Sequence, residues 1–166
     1  MNQVVQPPPA FFGRTIFSED IRQEKSGQLT IVGMFPGGID IGSYPAVLPK
    51  MAMLVEFQWR REALREPARL AAFMPGASED EPVWQEALVP PKIDPSSFEK
   101  IAAAEAEGVY PGELIFRGTH VVVMANLTIP RPGMLQIRAF VGDKIFAIGG
   151  AYFSQKEDKA EKIPSA

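Results

Sequence analysis

Between positions 51 and 59 every second side chain is apolar. Met51, Met53, Val55, Phe57 and Trp59 alternate with a second set that includes Glu56 and Gln58. A period of two puts successive side chains on opposite faces, so this stretch predicts a half-buried strand. Positions 11–17 and 28–34 also read as strands, and the polar stretch 18–27 between them reads as the long turn of a hairpin. The short apolar run 69–74 stops at Pro75-Gly76, a turn signal. Further strands are predicted at 83–89, 120–129, 134–141 and 144–153. Gly142-Asp143 separates the last two, and glycine in first place suits a type II′ hairpin turn.

Proline marks the boundaries of this pattern. The chain has 16 prolines in 166 residues, and the windows 10–35, 50–66, 112–129 and 133–163 contain none. Proline has no N–H for a β-ladder and is kept out of central strands, so the windows should hold most of the sheet. One segment has a different period. Asp94 can cap a helix, Pro95 suits its first turn and Gly108 its end. Phe98, Ile101 and Ala102 would form its apolar face. The expectation is a mainly β protein: an antiparallel β-sandwich, immunoglobulin-like or a related Greek key, of seven to nine strands with one short α-helix near 95–107. A closed barrel is the alternative. The domain is expected to span 10–154, between a flexible segment 1–9 and a flexible charged tail 155–166.

Composition removes several kinds of chemistry. There is no cysteine and one histidine, so disulfides, thiolate zinc sites, cysteine nucleophiles and multi-histidine metal sites are excluded. Net charge is −3, unlike the strongly basic stripe of a nucleic-acid binder. The longest apolar runs, such as 51–55 and 121–125, fall far short of the 18 or so residues of a membrane span. The first nine residues lack the basic and apolar regions of a signal peptide. A cytoplasmic protein is expected, with no cofactor, no bound metal, no nucleic acid and no membrane partner.

Two stretches carry a resemblance. Residues 17–33 read F-S-E-D-I-R-Q-E-K-S-G-Q-L-T-I-V-G, and residues 132–143 read P-G-M-L-Q-I-R-A-F-V-G-D. Together they resemble a family of small bacterial β-sandwich proteins of unknown function. Its members open with a strand, an acidic-Asp-Ile-Arg-x-Glu segment, a glycine and a second strand, and close with a Pro-Gly strand and a tight hairpin. Here Met134-Leu135 stands where an aromatic is common, and Gly142-Asp143 inverts the more usual Asp-Gly. The resemblance covers the two ends of the chain and not its middle. It implies a sandwich and no particular activity.

Two groups are candidate binding residues. Glu19, Asp20, Arg22 and Glu24 could form a polar patch at one end of the sandwich, or Asp20 could cap a turn while Arg22 pairs with a neighbouring carboxylate. In the loop 35–45, Ile39, Ile41 and Tyr44 could bind a partner, or their alternation could make a short edge strand tucked against the sheet. Other features carry bland readings. His120 opens a β-branched run with no nucleophile motif beside it. The acidic run 78–81 lacks the alternation of a calcium loop. Arg60, Arg61, Arg65 and Arg69 are interleaved with Glu62 and Glu66 as a solvated charged face.

No catalytic residues are assigned and no enzyme is expected. The leading expectation is a non-catalytic protein–protein interaction or assembly module, with a protein partner or self-association, because sandwich edges must be paired or protected. The alternative is a small-ligand or carbohydrate binder using the 35–45 loop or exposed Trp59 and Trp84. A carboxylate-dependent hydrolase would need two facing acids, which no spacing in the chain points to.

Overall fold

A computed structural model describes residues 11–60, 66–89 and 115–156, with Ser96, Glu99, Lys100 and Ala103 between them. Among the described residues nine strands run in the order β1 (Phe11–Gln23), β2 (Leu29–Met34), β3 (Gly38–Ile41), β4 (Ala46–Arg60), β5 (Ala68–Phe73), β6 (Trp84–Leu88), β7 (Ile115–Ile129), β8 (Gly133–Val141) and β9 (Lys144–Gln155). They form a β-sandwich of two sheets. One has the order β2-β1-β4-β7, the other β3-β9-β8-β5-β6. All pairings are antiparallel except that of β3 with β9. The helix expected near 95–107 is not seen as an element. Most of that stretch lies outside the described residues, and the four positions described there have helical backbone. The two flexible termini expected from sequence also lie almost wholly outside the described residues.

The inward faces carry the alternation seen in the sequence. Met51, Met53, Val55, Phe57 and Trp59 of β4 meet Leu135, Ile137, Ala139 and Val141 of β8 in one buried cluster. Phe11 packs against Phe57 at 5.9 Å, Trp59 at 6.0 Å and Phe146 at 5.5 Å between ring centroids, so aromatic rings bridge the two sheets. The predicted turn at Gly142-Asp143 is present. Gly142 has φ 57° and no positive φ follows at Asp143, the type II′ pattern.

Three differences from the sequence reading have local causes. The turn after β1 lies at Glu24–Gln28, closed by Gly27 N–H donating to the Glu24 carbonyl at 2.9 Å. Residues 18–23, expected as turn, extend β1, because they pair with β2 from Ser18–Met34 to Gln23–Leu29. The second difference is a slip of the alternation. Leu48 and Met51 of β4, three residues apart, both pack against the main cluster, as do Met124 and Leu127 of β7. Strict alternation would place the members of each pair on opposite faces. In the register, Asn126, with φ 52°, stands across from Pro49, which has no N–H to give. Both strands therefore turn over together, and Ala46, Leu48, Leu127 and Ile129 return to the core. The third is a similar turnover at Gly33, φ 64°, across from Glu19. Beyond it Ile21 and its neighbour Ile31 join Ile16, Ala52 and Leu54 in a second apolar cluster.

The sheets touch most closely where β1 crosses β9. The β8–β9 register shifts at Ile137/Arg138, leaving Ile148 as the extra residue of a bulge. Its freed carbonyl accepts a hydrogen bond from the Thr15 hydroxyl at 3.2 Å. Gly149 beside it makes the contact feasible, since a Cβ there would lie 2.6 Å from Thr15 Cβ. Gly149 has an ordinary φ, so alanine would be excluded by crowding and not by backbone strain. Gly149→Ala is expected to cost about 1–3 kcal/mol. Urea unfolding should show a lower midpoint with an unchanged m-value.

Candidate functional site

The structure separates the two predicted groups of binding residues and satisfies most of them internally. Asp20 lies in β1 and not in a turn, which corrects its expected capping role. Its carboxylate takes Arg22 Nε at 2.9 Å on one oxygen and Lys50 Nζ on the other. These two cations hold Asp20 at a pKa of about 2, Lys50 first and Arg22 next. Glu24 accepts from the Thr30 hydroxyl at 2.8 Å, and Glu19 lies against Gly33. The pairing of Arg22 with a nearby carboxylate matches one of the two sequence readings. Lys50, thirty residues away, was missed, because only the β1–β4 register brings it opposite Asp20.

The loop 35–45 contains the edge strand β3, parallel to β9. Ile41 is buried, and Ile39 and Tyr44 pack against the main cluster. The Tyr44 hydroxyl donates to the Ser154 carbonyl at 3.1 Å, and burial raises its pKa, with Tyr152 and Asp40 adding to the shift. Ser154 donates to Asp40, its register partner. These side chains fasten the edge strand to the sheet. Of the two tryptophans, Trp59 is buried and Trp84 is half-buried against the core, so Trp59 presents no exposed ring for sugar stacking.

The outer face of the four-stranded sheet is where exposed apolar side chains gather. Cross-strand rows define it: Phe12, Gln58 and Arg117; Arg14, Glu56 and Thr119; Ile16, Leu54 and Val121; Ser18, Ala52 and Val123. Arg14 Nε meets Glu56 at 2.5 Å. Phe12 is 55% exposed, Val121 43% and Val123 50%. At one end, Phe12, Arg14, Glu56, Gln58, Arg117 and Thr119 surround an open hollow of about 410 Å³. Sequence reading missed this face because its members come from three strands far apart in the chain.

β7 is 15 residues long and, among the described residues, is the edge of that sheet, paired only with β4. Opposite it stands β6, the edge of the second sheet. His120 Nδ1 of β7 lies 3.3 Å from Glu86 Oε1 of β6, joining the two edges, and its ring stacks on Phe57 at 5.6 Å. Beneath this link is a slot of about 230 Å³ whose walls include Phe57, Trp59, Leu88, Phe116 and His120. Elsewhere, Arg69 stacks over the Phe140 ring at 3.7 Å and Arg138 meets Glu79 at 2.5 Å. Arg61 and Arg65 lie outside the described residues. Among the described residues no three metal-ligating side chains are grouped, and no helix is long and apolar enough to cross a membrane.

The class defined by this geometry is a nine-stranded, mixed two-sheet β-sandwich. Comparisons with family models, curated proteins and solved structures find no match to the chain.

The Asp20 pairs have a pH signature. The folded state binds the Asp20 proton less readily than the unfolded chain, at about 2 against 3.8. Its contribution is therefore present above pH 3.8 and lost as pH falls toward 2. Asp20→Asn should lower the urea midpoint above pH 4 by a small, constant amount, and the gap to wild type should close between about pH 4 and pH 2. A gap that persists at pH 2 would show that the effect is not the charge.

Proposed function

We propose that this protein is a non-catalytic assembly module, cytoplasmic, which associates with a second copy of itself along β7. The observation that carries the reading is the open edge. Among the described residues β7 is long and has no strand on its outer side, and Val121 and Val123 are exposed along it. Native sandwiches blunt such edges with lysine, proline, bulges or a covering segment. Between Phe116 and Ile129, β7 contains no lysine and no proline.

A second copy fits better than a peptide of different chemistry. In an antiparallel pairing about a twofold axis at Val122, Val121 meets Val123 of the second copy, and Thr119 meets Ala125. No like charges oppose each other, since Arg117 falls across from Leu127. Such a pairing is isologous and closes at two copies. It would join the two four-stranded sheets into one and add main-chain hydrogen bonds along the seam. The resemblance of residues 17–33 and 132–143 to a family without assigned chemistry agrees with a role in binding.

Light scattering on the eluting protein should give a mass that rises with concentration above the 18.2 kDa of one chain. The double substitution V121K/V123K places charges on the solvent face of the edge and should return the mass to that of a monomer. Amides of β7 should gain exchange protection as concentration rises. A wild-type mass of 18.2 kDa at every concentration would overturn self-association.

A further inference from the structure

We infer that the hollow on the outer face of the four-stranded sheet binds a flat, largely apolar monoanion, an aromatic carboxylate. The site lies on the sheet face and does not depend on pairing along β7. The first observation is an aromatic ring that the core does not use. Phe11 fills the inward position at the start of β1, buried against Phe57, Trp59 and Phe146. Alternation then turns Phe12 outward, where it is 55% exposed. A ring left in water gains when an apolar surface covers it, and a flat aromatic surface covers it well.

The second observation is a cation in the same row. The register sets Gln58 beside Phe12 and Arg117 beside Gln58. Arg117 is exposed and, among the described residues, has no carboxylate partner. The next row supplies Arg14 and Glu56, which pair at 2.5 Å and cancel. Of the charged side chains lining the hollow, Arg117 alone is left without a balancing charge. A carboxylate carries one negative charge and fits the planar fork of a guanidinium. A phosphate ester brings nearly two charges, and the surplus would face Glu56.

The third observation is the spacing. Phe12 and Arg117 stand two strands apart, about 10 Å at an interstrand spacing of about 4.8 Å. A ring lying against Phe12 with a carboxylate on its far side spans that gap. Gln58 is half-buried on the floor between them, and Thr119 follows Arg117 on the same face of β7. Among the described residues neither side chain makes a hydrogen bond, so both can donate to a carboxylate oxygen. At about 410 Å³, the hollow falls within the range of roughly 300–1,000 Å³ found for small-molecule sites.

The experiment uses the full chain and three probes: 2-naphthoate, its neutral amide 2-naphthamide, and acetate. In isothermal titration naphthoate should bind saturably and roughly tenfold more tightly than naphthamide. Acetate, the charge without the rings, should bind more weakly than naphthoate. In NMR spectra naphthoate should move the backbone amides of Phe12, Gln58 and Arg117 and the side-chain amide of Gln58. Arg117→Ala should weaken naphthoate to the level of naphthamide and leave naphthamide unchanged. Phe12→Ala should weaken both several-fold. Both side chains are exposed, so the two variants should keep the thermal midpoint of the wild type. Glu56→Gln removes the charge that balances Arg14, and should tighten naphthoate several-fold without affecting naphthamide. Naphthoate affinity should not vary with protein concentration, which separates this inference from self-association. Equal affinity for naphthoate and naphthamide would overturn the role of the guanidinium. Acetate binding as tightly as naphthoate would overturn the role of Phe12. No saturable response to naphthoate, or a response untouched by both F12A and R117A, would overturn the site.

Discussion

The contact between β1 and β9 is the constraint from which the arrangement of the sandwich follows. A bulge at Ile148 frees a carbonyl, Thr15 donates to it, and Gly149 leaves room for the approach. Gly13 acts from the other strand, since a Cβ there would lie 3.0 Å from the Ile148 side chain. With the sheets clasped on this side, Phe11 reaches Phe146 across the core. On the opposite side, where β7 stands over β6, the described residues form no such seam. There, among the described residues, a His120–Glu86 contact links the two edges above the aromatic slot.

The same asymmetry separates fastened edges from open ones. β3 is secured by its parallel pairing to β9, by Ile39 and Ile41 in the core and by the Tyr44 hydroxyl on Ser154. Among the described residues β7 has no comparable fastening on its outer side. Its inward side chains are buried or half-buried and its outward valines are exposed. The features with binding potential thus gather along one strand. Among the described residues its edge has no strand beside it other than β4, its outer face continues the apolar rows of β1 and β4, and its inner face walls the slot. The ion pairs play a smaller part, because Asp20 and Glu56 are neutralised by exposed cations and Glu79 by a half-buried one while itself exposed, and solvent-exposed pairs contribute little.

Much of the fold was legible because strand alternation and proline exclusion act locally. The 51–59 pattern, the last hairpin and the mainly β class follow from residues near one another in the chain. The turnovers at Asn126 and Gly33 were not legible. Nothing in Pro49 alone says that a residue 77 positions later will adopt φ 52° across from it. The candidate residues show the same division. Arg22 lies two positions from Asp20, so their pairing could be anticipated. Lys50 could not, and neither could the row of Arg14, Glu56 and Thr119, which exists only through the registers of three strands.

By itself, the sequence determined the class of fold, most of the strands, the final turn and the chemistries excluded by one histidine and no cysteine. Each rests on residue identity or on a period of two, which are local properties. Only the tertiary structure decided which strands became edges, which faces stayed open and which side chains became neighbours. The buried Trp59 shows the difference. In sequence it is the last apolar position of an alternating strand, equally suited to the core or to an exposed platform. Packing against Phe11 and Phe57 buries the ring and, among the described residues, leaves its N–H without a partner, because the residues around an indole are chosen by strand register and sheet stacking and not by neighbours in the chain.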